Sequence, residues 1–220
     1  MLPPIAPRPE PPRPRLKWWP VLIAFVVALV GYFGAWVWHR AAGLVVTGVD
    51  LAEYIKFIPA YRGGEIRLLR ESFYMPLVAG SLIAGLIASR RALPLWLRWL
   101  AALLAIPLAL AMLTPDWSPA VLMRPDVRLQ VIAIAACLLA LILLLVTRFL
   151  PDWLVLLLIA VLALAAAIWP ATGFLQLLAP IEALYRQPIR PGWGFWLSTL
   201  GFLFLAFFAI FGALPRRPKR

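Results

Sequence analysis

Six apolar stretches, at about residues 19–38, 73–88, 95–113, 129–147, 153–169 and 194–213, take up most of this 220-residue chain, and none contains a carboxylate or a histidine. Each runs for roughly 16–20 residues, close to the ~20 that a helix rising ~1.5 Å per residue needs to cross ~30 Å of hydrocarbon. Backbone N–H and C=O groups in lipid must be satisfied within the segment, so such runs are expected to be helices. They lack the strict alternation of a transmembrane barrel. The spacing therefore predicts an all-α integral membrane protein with six transmembrane helices. Hydrophobic residues make up 64% of the chain, too large a share for a soluble fold of this length.

The formal net charge of +12 would suggest nucleic acid in a soluble protein. Here its placement reads as topology. Arg8, Arg13, Arg15 and Lys17 precede the first stretch, Arg90, Arg91 and Arg98 lie around a short connection, and Arg216, Arg217, Lys219 and Arg220 close the chain. Positive charge in tails and short loops marks the cytoplasmic side, so both termini are expected there. These cations would also attract anionic lipid head groups. No basic face with interleaved stacking groups is present, so no nucleic-acid partner is expected. Arginine outnumbers lysine 18 to 3 and asparagine is absent, a bias that suggests a GC-rich bacterium and hence its plasma (inner) membrane. The organisation expected is a Pro-rich flexible tail at 1–17, a six-helix domain at 18–214 and a basic tail at 215–220.

Boundary chemistry supports these spans. Trp18, Trp19, Trp36 and Trp38 bracket the first stretch, and Trp96, Trp99, Trp153, Trp169, Trp193 and Trp196 fall near other ends. Interfacial anchoring explains such placement, because an indole joins an apolar body to a polar N–H. Gly80, Ala84 and Ala88 form a small-residue stripe with Ser81, Gly85 and Ser89 beside it, a surface for close helix approach that Gly31 and Ala35 are expected to meet. Pro107 is expected to kink the third span. At Leu150-Pro151-Asp152, Arg148 is expected to end one helix and Asp152 to cap the next.

Chemistry has its best candidate in the first external loop, about residues 39–72. Leu51, Tyr54, Ile55 and Ile58 follow helical spacing, while Asp50, Glu53 and Lys56 share the opposite face. Asp50 suits an N-cap with Glu53 three residues on, and Pro59 ends the run. A short amphipathic helix lying on the outer membrane surface is expected. Asp50 and Glu53 are the candidate acid/base pair. Lys56, Arg62, Arg67, Arg70 and, from the last external loop, Arg186 are candidate cations for a phosphate or carboxylate. The alternative is that these charges solvate the loop and pair among themselves. An acidic pair in a first external loop resembles that of the lipid-linked glycosyltransferases with many spans. The resemblance covers two residues, and this chain is several helices too short for their fold. The last external loop, about 170–193, is expected to hold a short helix near 174–186 and to pack beside the first as a cap.

His39 is the only histidine and Cys137 the only cysteine. Structural zinc, bis-histidine haem and a Cys–His nucleophile pair therefore lack their ligands within the chain. Walker A, dinucleotide Gly and Gly-x-Ser-x-Gly patterns are absent too, and no cofactor or metal is expected. Without carboxylates in its spans the chain lacks the usual relay of ion-coupled transport. The role that fits these features is a non-catalytic accessory, assembly or scaffold subunit of a membrane complex, its partners being lipids and another membrane protein or a second copy. The alternatives are a membrane-embedded transferase acting on a lipid-linked substrate through the first loop, and a small transporter or flippase for a neutral or lipid substrate.

Overall fold

The computed structural model describes residues 18–38, 45–113, 118–147 and 149–214. The tails at 1–17 and 215–220, His39, Arg40 and Arg148 lie outside the described residues, as do the expectations placed on them. Helix dominates. In chain order the elements are α1 (Trp19–Tyr32), β1 (Ala35–Trp38), β2 (Val45–Thr47), α2 (Leu51–Tyr54), α3 (Pro59–Arg62), α4 (Met75–Ala88), α5 (Leu95–Leu110), α6 (Pro119–Leu122), α7 (Arg128–Thr147), α8 (Asp152–Tyr185) and α9 (Trp193–Ala213). A 3₁₀ turn, Arg70–Tyr74, leads into α4.

Among the described residues three helical stretches are long and apolar enough to cross a membrane: Arg70–Ala88, α8 and α9. The apolar helices Trp19–Tyr32, Leu95–Leu110 and Arg128–Leu143 are shorter. Neighbouring long helices alternate in direction. Gly31 near the end of α1 abuts Ser198 near the start of α9, while Ala28, a turn earlier, abuts Gly201, a turn later. Ser81 Oγ of α4 donates to Ala105 O of α5, and Arg98 Nε donates back to Ala88 O. Gly173, in the second half of α8, touches Ser72 and Phe73 ahead of α4, while Asp152 at the start of α8 pairs with Arg90 beyond α4. Trp18 and Leu214 consequently lie at the same end of the bundle as Arg90, opposite the β-hairpin.

The first apolar stretch is not one helix. It stops at Tyr32, and Ala35–Trp38 turns into a strand antiparallel to Val45–Thr47, pairing Ala35 with Thr47, Val37 with Val46 and Trp38 with Val45 across a bulge. Trp, Val and Thr suit a pleated ribbon better than a helix end. Gly34 permits the change because it lies where the Trp193 ring and Gly194 press closest. A bridge from Val37 to Pro191 and the bond from Gly192 N–H to Trp36 O (2.8 Å) tie the hairpin to the last loop.

Two assignments made from residue type change with this. Trp36 is 1% exposed and fills the hairpin end rather than anchoring at an interface. Its ring meets Phe174 and Phe195 edge-on at 5.4 Å each. Trp18 is buried as well, whereas Trp19, Trp38, Trp96, Trp99, Trp153, Trp169, Trp193 and Trp196 are exposed, as anchors would be. Gly31 faces α9, not the Gly80 stripe, whose glycine meets Leu29 and Leu108.

The expected break after residue 169 is also absent. α8 continues for 34 residues through Pro170 and Pro180, about 51 Å at ~1.5 Å per residue, well beyond ~30 Å of hydrocarbon. The short helix expected near 174–186 is its final turns. Proline removes one backbone bond and crowds the preceding turn. Packing holds the helix together here, since Pro170, Phe174 and Leu177 are buried; Thr172 Oγ1 also donates to Trp169 O (2.9 Å). At its other end, Asp152 makes no side-chain cap and accepts from Arg90 Nη1 (3.3 Å) instead.

Candidate functional site

The first loop folds onto the bundle. Leu51, Ile55 and Ile58 are fully buried, as their i, i+4, i+7 spacing requires of one helical face. That face meets the Arg70–Tyr74 turn and so belongs to the protein core, not to a membrane surface. The expected helix is broken into one α turn (Leu51–Tyr54), a 3₁₀ turn (Ile55–Phe57), extended Ile58, and a new turn opened by Pro59. Asp50 is the N-cap by position only. Its Oδ2 reaches back to accept from Thr47 N–H (3.1 Å) and Thr47 Oγ1 (2.6 Å), which closes the turn after β2.

Arg70 organises what remains. It is 5% exposed, and its guanidinium lies 3.6 Å from Glu53 Oε1, 3.3 Å from Glu71 Oε1 and 3.3 Å from Gln130 Oε1. Gln130 Nε2 in turn donates to Met112 O, just past the end of α5. Glu53 accepts from Tyr74 Oη (3.1 Å) and from Lys56 Nζ (2.5 Å). One buried cation thus joins the first loop, the start of α4 and the first turn of α7, and Gln130 carries the link to α5. A buried guanidinium needs this many acceptors, because its five N–H groups lose water on burial.

The candidate residues of the sequence therefore separate. Glu53, Lys56 and Arg70 come together. Asp50 belongs to a different network, in which Thr47 is its donor. Arg62 and Arg67 are exposed. Arg186 is exposed too, at φ 54°, where it ends α8 in the left-handed conformation usual for a helix stop. Glu71, Tyr74 and Gln130 complete the cluster and were not singled out from sequence. Gln130 did carry a signal: an amide two residues into an apolar run needs a buried partner.

The first and last loops do meet. Tyr54 Oη donates to Tyr185 Oη at 2.8 Å, and Ile189 N–H donates to Glu182 Oε1 at 2.9 Å, which shapes the turn after α8. Burial, and then the bond to Tyr185, push the Tyr54 phenol above its ordinary 10.0. Above that pH the unfolded chain releases a proton that folded Tyr54 keeps, so this contribution is full below pH 10 and fades as pH rises. Tyr54→Phe is expected to cost about 1 kcal/mol at neutral pH, and to flatten the loss of stability above pH 10 in an alkaline unfolding series.

Among the described residues no three His, Cys, Asp or Glu side chains gather to hold a metal ion. Compared with protein-family models, with curated proteins and with solved structures, the chain finds no match.

Proposed function

We propose that this chain is a non-catalytic subunit of a membrane complex, with an accessory, assembly or scaffold role. In this reading it crosses a bacterial plasma membrane six times with both termini cytoplasmic. The observation that carries the role is the internal pairing of the first-loop acids: Asp50 with Thr47, Glu53 with Lys56, Arg70 and Tyr74, and Glu71 with Arg70. A transferase would need Asp50 and Glu53 to act on one substrate, and their donors belong to separate networks. A rigid cap of hairpin, first loop and last loop suits recognition by another protein. The topology draws support from the alternating helices, which bring Trp18 and Leu214 to the Arg90 end, where arginines concentrate.

Purification of the tagged chain from its native membrane in mild detergent, followed by mass spectrometry, tests the role. A stoichiometric protein partner is the expected result, and a chain that runs alone or only with itself overturns it. Reporter fusions at the two ends should both read the cytoplasmic side; opposite readings would remove the six-span topology.

A further inference from the structure

At the Arg90 end, α4 and α5 are pinned together at two points and stand apart between them. Ser81 Oγ holds Ala105 O at 2.8 Å, and Arg98 Nε holds Ala88 O at 3.0 Å. Between these bonds the facing residues are small, Gly85 and Ala88 on α4 against Ala102 and Ala105 on α5, with Leu141 of α7 closing the far side. The result is a cleft of about 380 Å³, within the size range of small-molecule sites. Its walls are mostly apolar, and Trp99 and Leu95 at its rim are both 63% exposed, so it opens on the face that a bilayer would cover.

One charged group lines this cleft. Arg98 lies one turn inside α5. Its bond to Ala88 O uses Nε and fixes the guanidinium at the mouth, and among the described residues Nη1 and Nη2 have no partner. No carboxylate occurs between Glu71 and Asp116, so neither α4 nor α5 offers a counter-charge. Asp152, at the same end of the bundle, is engaged by Arg90. The first turn of α5 adds its positive pole to the same mouth.

We propose that this cleft binds one anionic phospholipid, with the phosphate on Arg98 and an acyl chain lying along Gly85, Ala102 and Ala105. Basic pockets between membrane helices select lipid head groups in this way. The apolar walls favour a lipid over free phosphate, because a free anion needs donors on several sides and Arg98 supplies one. The site is independent of whether the chain acts as a complex subunit, since it uses neither the cap nor the Arg70 cluster.

Native mass spectrometry of the full-length chain, given equal amounts of phosphatidylglycerol and phosphatidylcholine in mild detergent, tests the proposal. The wild type should retain one phosphatidylglycerol with about fivefold preference, the effect of one arginine near a membrane surface. Arg98→Gln should bring the two lipids to parity while helix content holds, and Arg98→Lys should keep most of the preference. Ala102→Phe should reduce retention of both lipids by filling the cleft. Equal retention by the wild type, or a preference that survives in Arg98→Gln, overturns the proposal. So does displacement of the lipid by inorganic phosphate alone, which would mark a simple anion site. If Arg98→Gln does not fold, a salt series on the wild type decides: the preference should fall as salt rises, and one unchanged at high salt overturns the charge contact.

Discussion

Gly31→Ala is expected to lower stability by about 3 kcal/mol, the upper end of the usual cost of overpacking. A methyl there would fall 2.1 Å from Ser198 N, 2.6 Å from Leu197 C and 2.8 Å from Ser198 Cα. All three are backbone atoms of α9, so no side chain can swing aside and the helices must separate. Separation would propagate, because the seam is as tight elsewhere: a Cβ added at Gly201 would fall 2.7 Å from the Ala28 backbone, and one at Gly194 would fall 2.5 Å from Gly34 C. In lipid, apolar side chains gain little by leaving their surroundings for one another, and helix association rests on close contact. Gly80→Ala is the matched control. Its methyl would meet only Leu29 Cδ2 at 3.2 Å and Leu108 Cδ1 at 3.3 Å, the free ends of flexible side chains, so about 1 kcal/mol or less is expected. Unfolding of both variants in mixed micelles measures the difference. Equal stabilities would mean that α1 and α9 do not pack backbone to backbone.

That seam shows what kind of information the sequence carried. Small residues at four-residue spacing did mark helix contacts, but spacing names a face and not the face it meets. Gly31 found α9, the helix farthest from it in sequence, since chain order does not fix neighbours in a bundle. The apolar runs were legible because each follows from solvation of a single segment. The hairpin at Ala35–Trp38 was not, because its residues are as apolar as those of α1 and only pairing with Val45–Thr47 distinguishes them. The expected end of a span at residue 169 fails for the opposite reason: Pro170 follows it and local chemistry says break, while packing along α8 keeps the helix intact. In the candidate site, the period of Leu51, Ile55 and Ile58 names one apolar face, but not that this face packs on the protein core rather than on a membrane surface. The role of Arg70 was not legible, since a cation close to Glu53, Glu71 and Gln130 looks in sequence like any other charge at a span boundary.

Arg70→Met is expected to cost about 3 kcal/mol, the lower edge of the range for breaking a buried ion pair. The lower edge applies because its two carboxylate partners are not sealed from water: the Glu53 side chain is 38% exposed and that of Glu71 21%. Gln130 has less recourse, being 2% exposed, and loses the donor to its Oε1. Methionine replaces much of the volume and none of the charge, so the loss reads electrostatics and hydrogen bonding more than packing. Removing the acids as well should restore most of the stability, since a buried ionic cluster replaced as a unit by neutral groups is often nearly neutral. Arg70→Met combined with Glu53→Gln and Glu71→Gln therefore separates two roles for the same residues. A cluster that only joins the first loop to α4 and α7 predicts that stability and partner association recover together in the triple variant. Recovery of stability without association would move the charges themselves into the contact with the partner. Failure of the triple variant to regain stability would contradict the view of Arg70 as the centre of the cap.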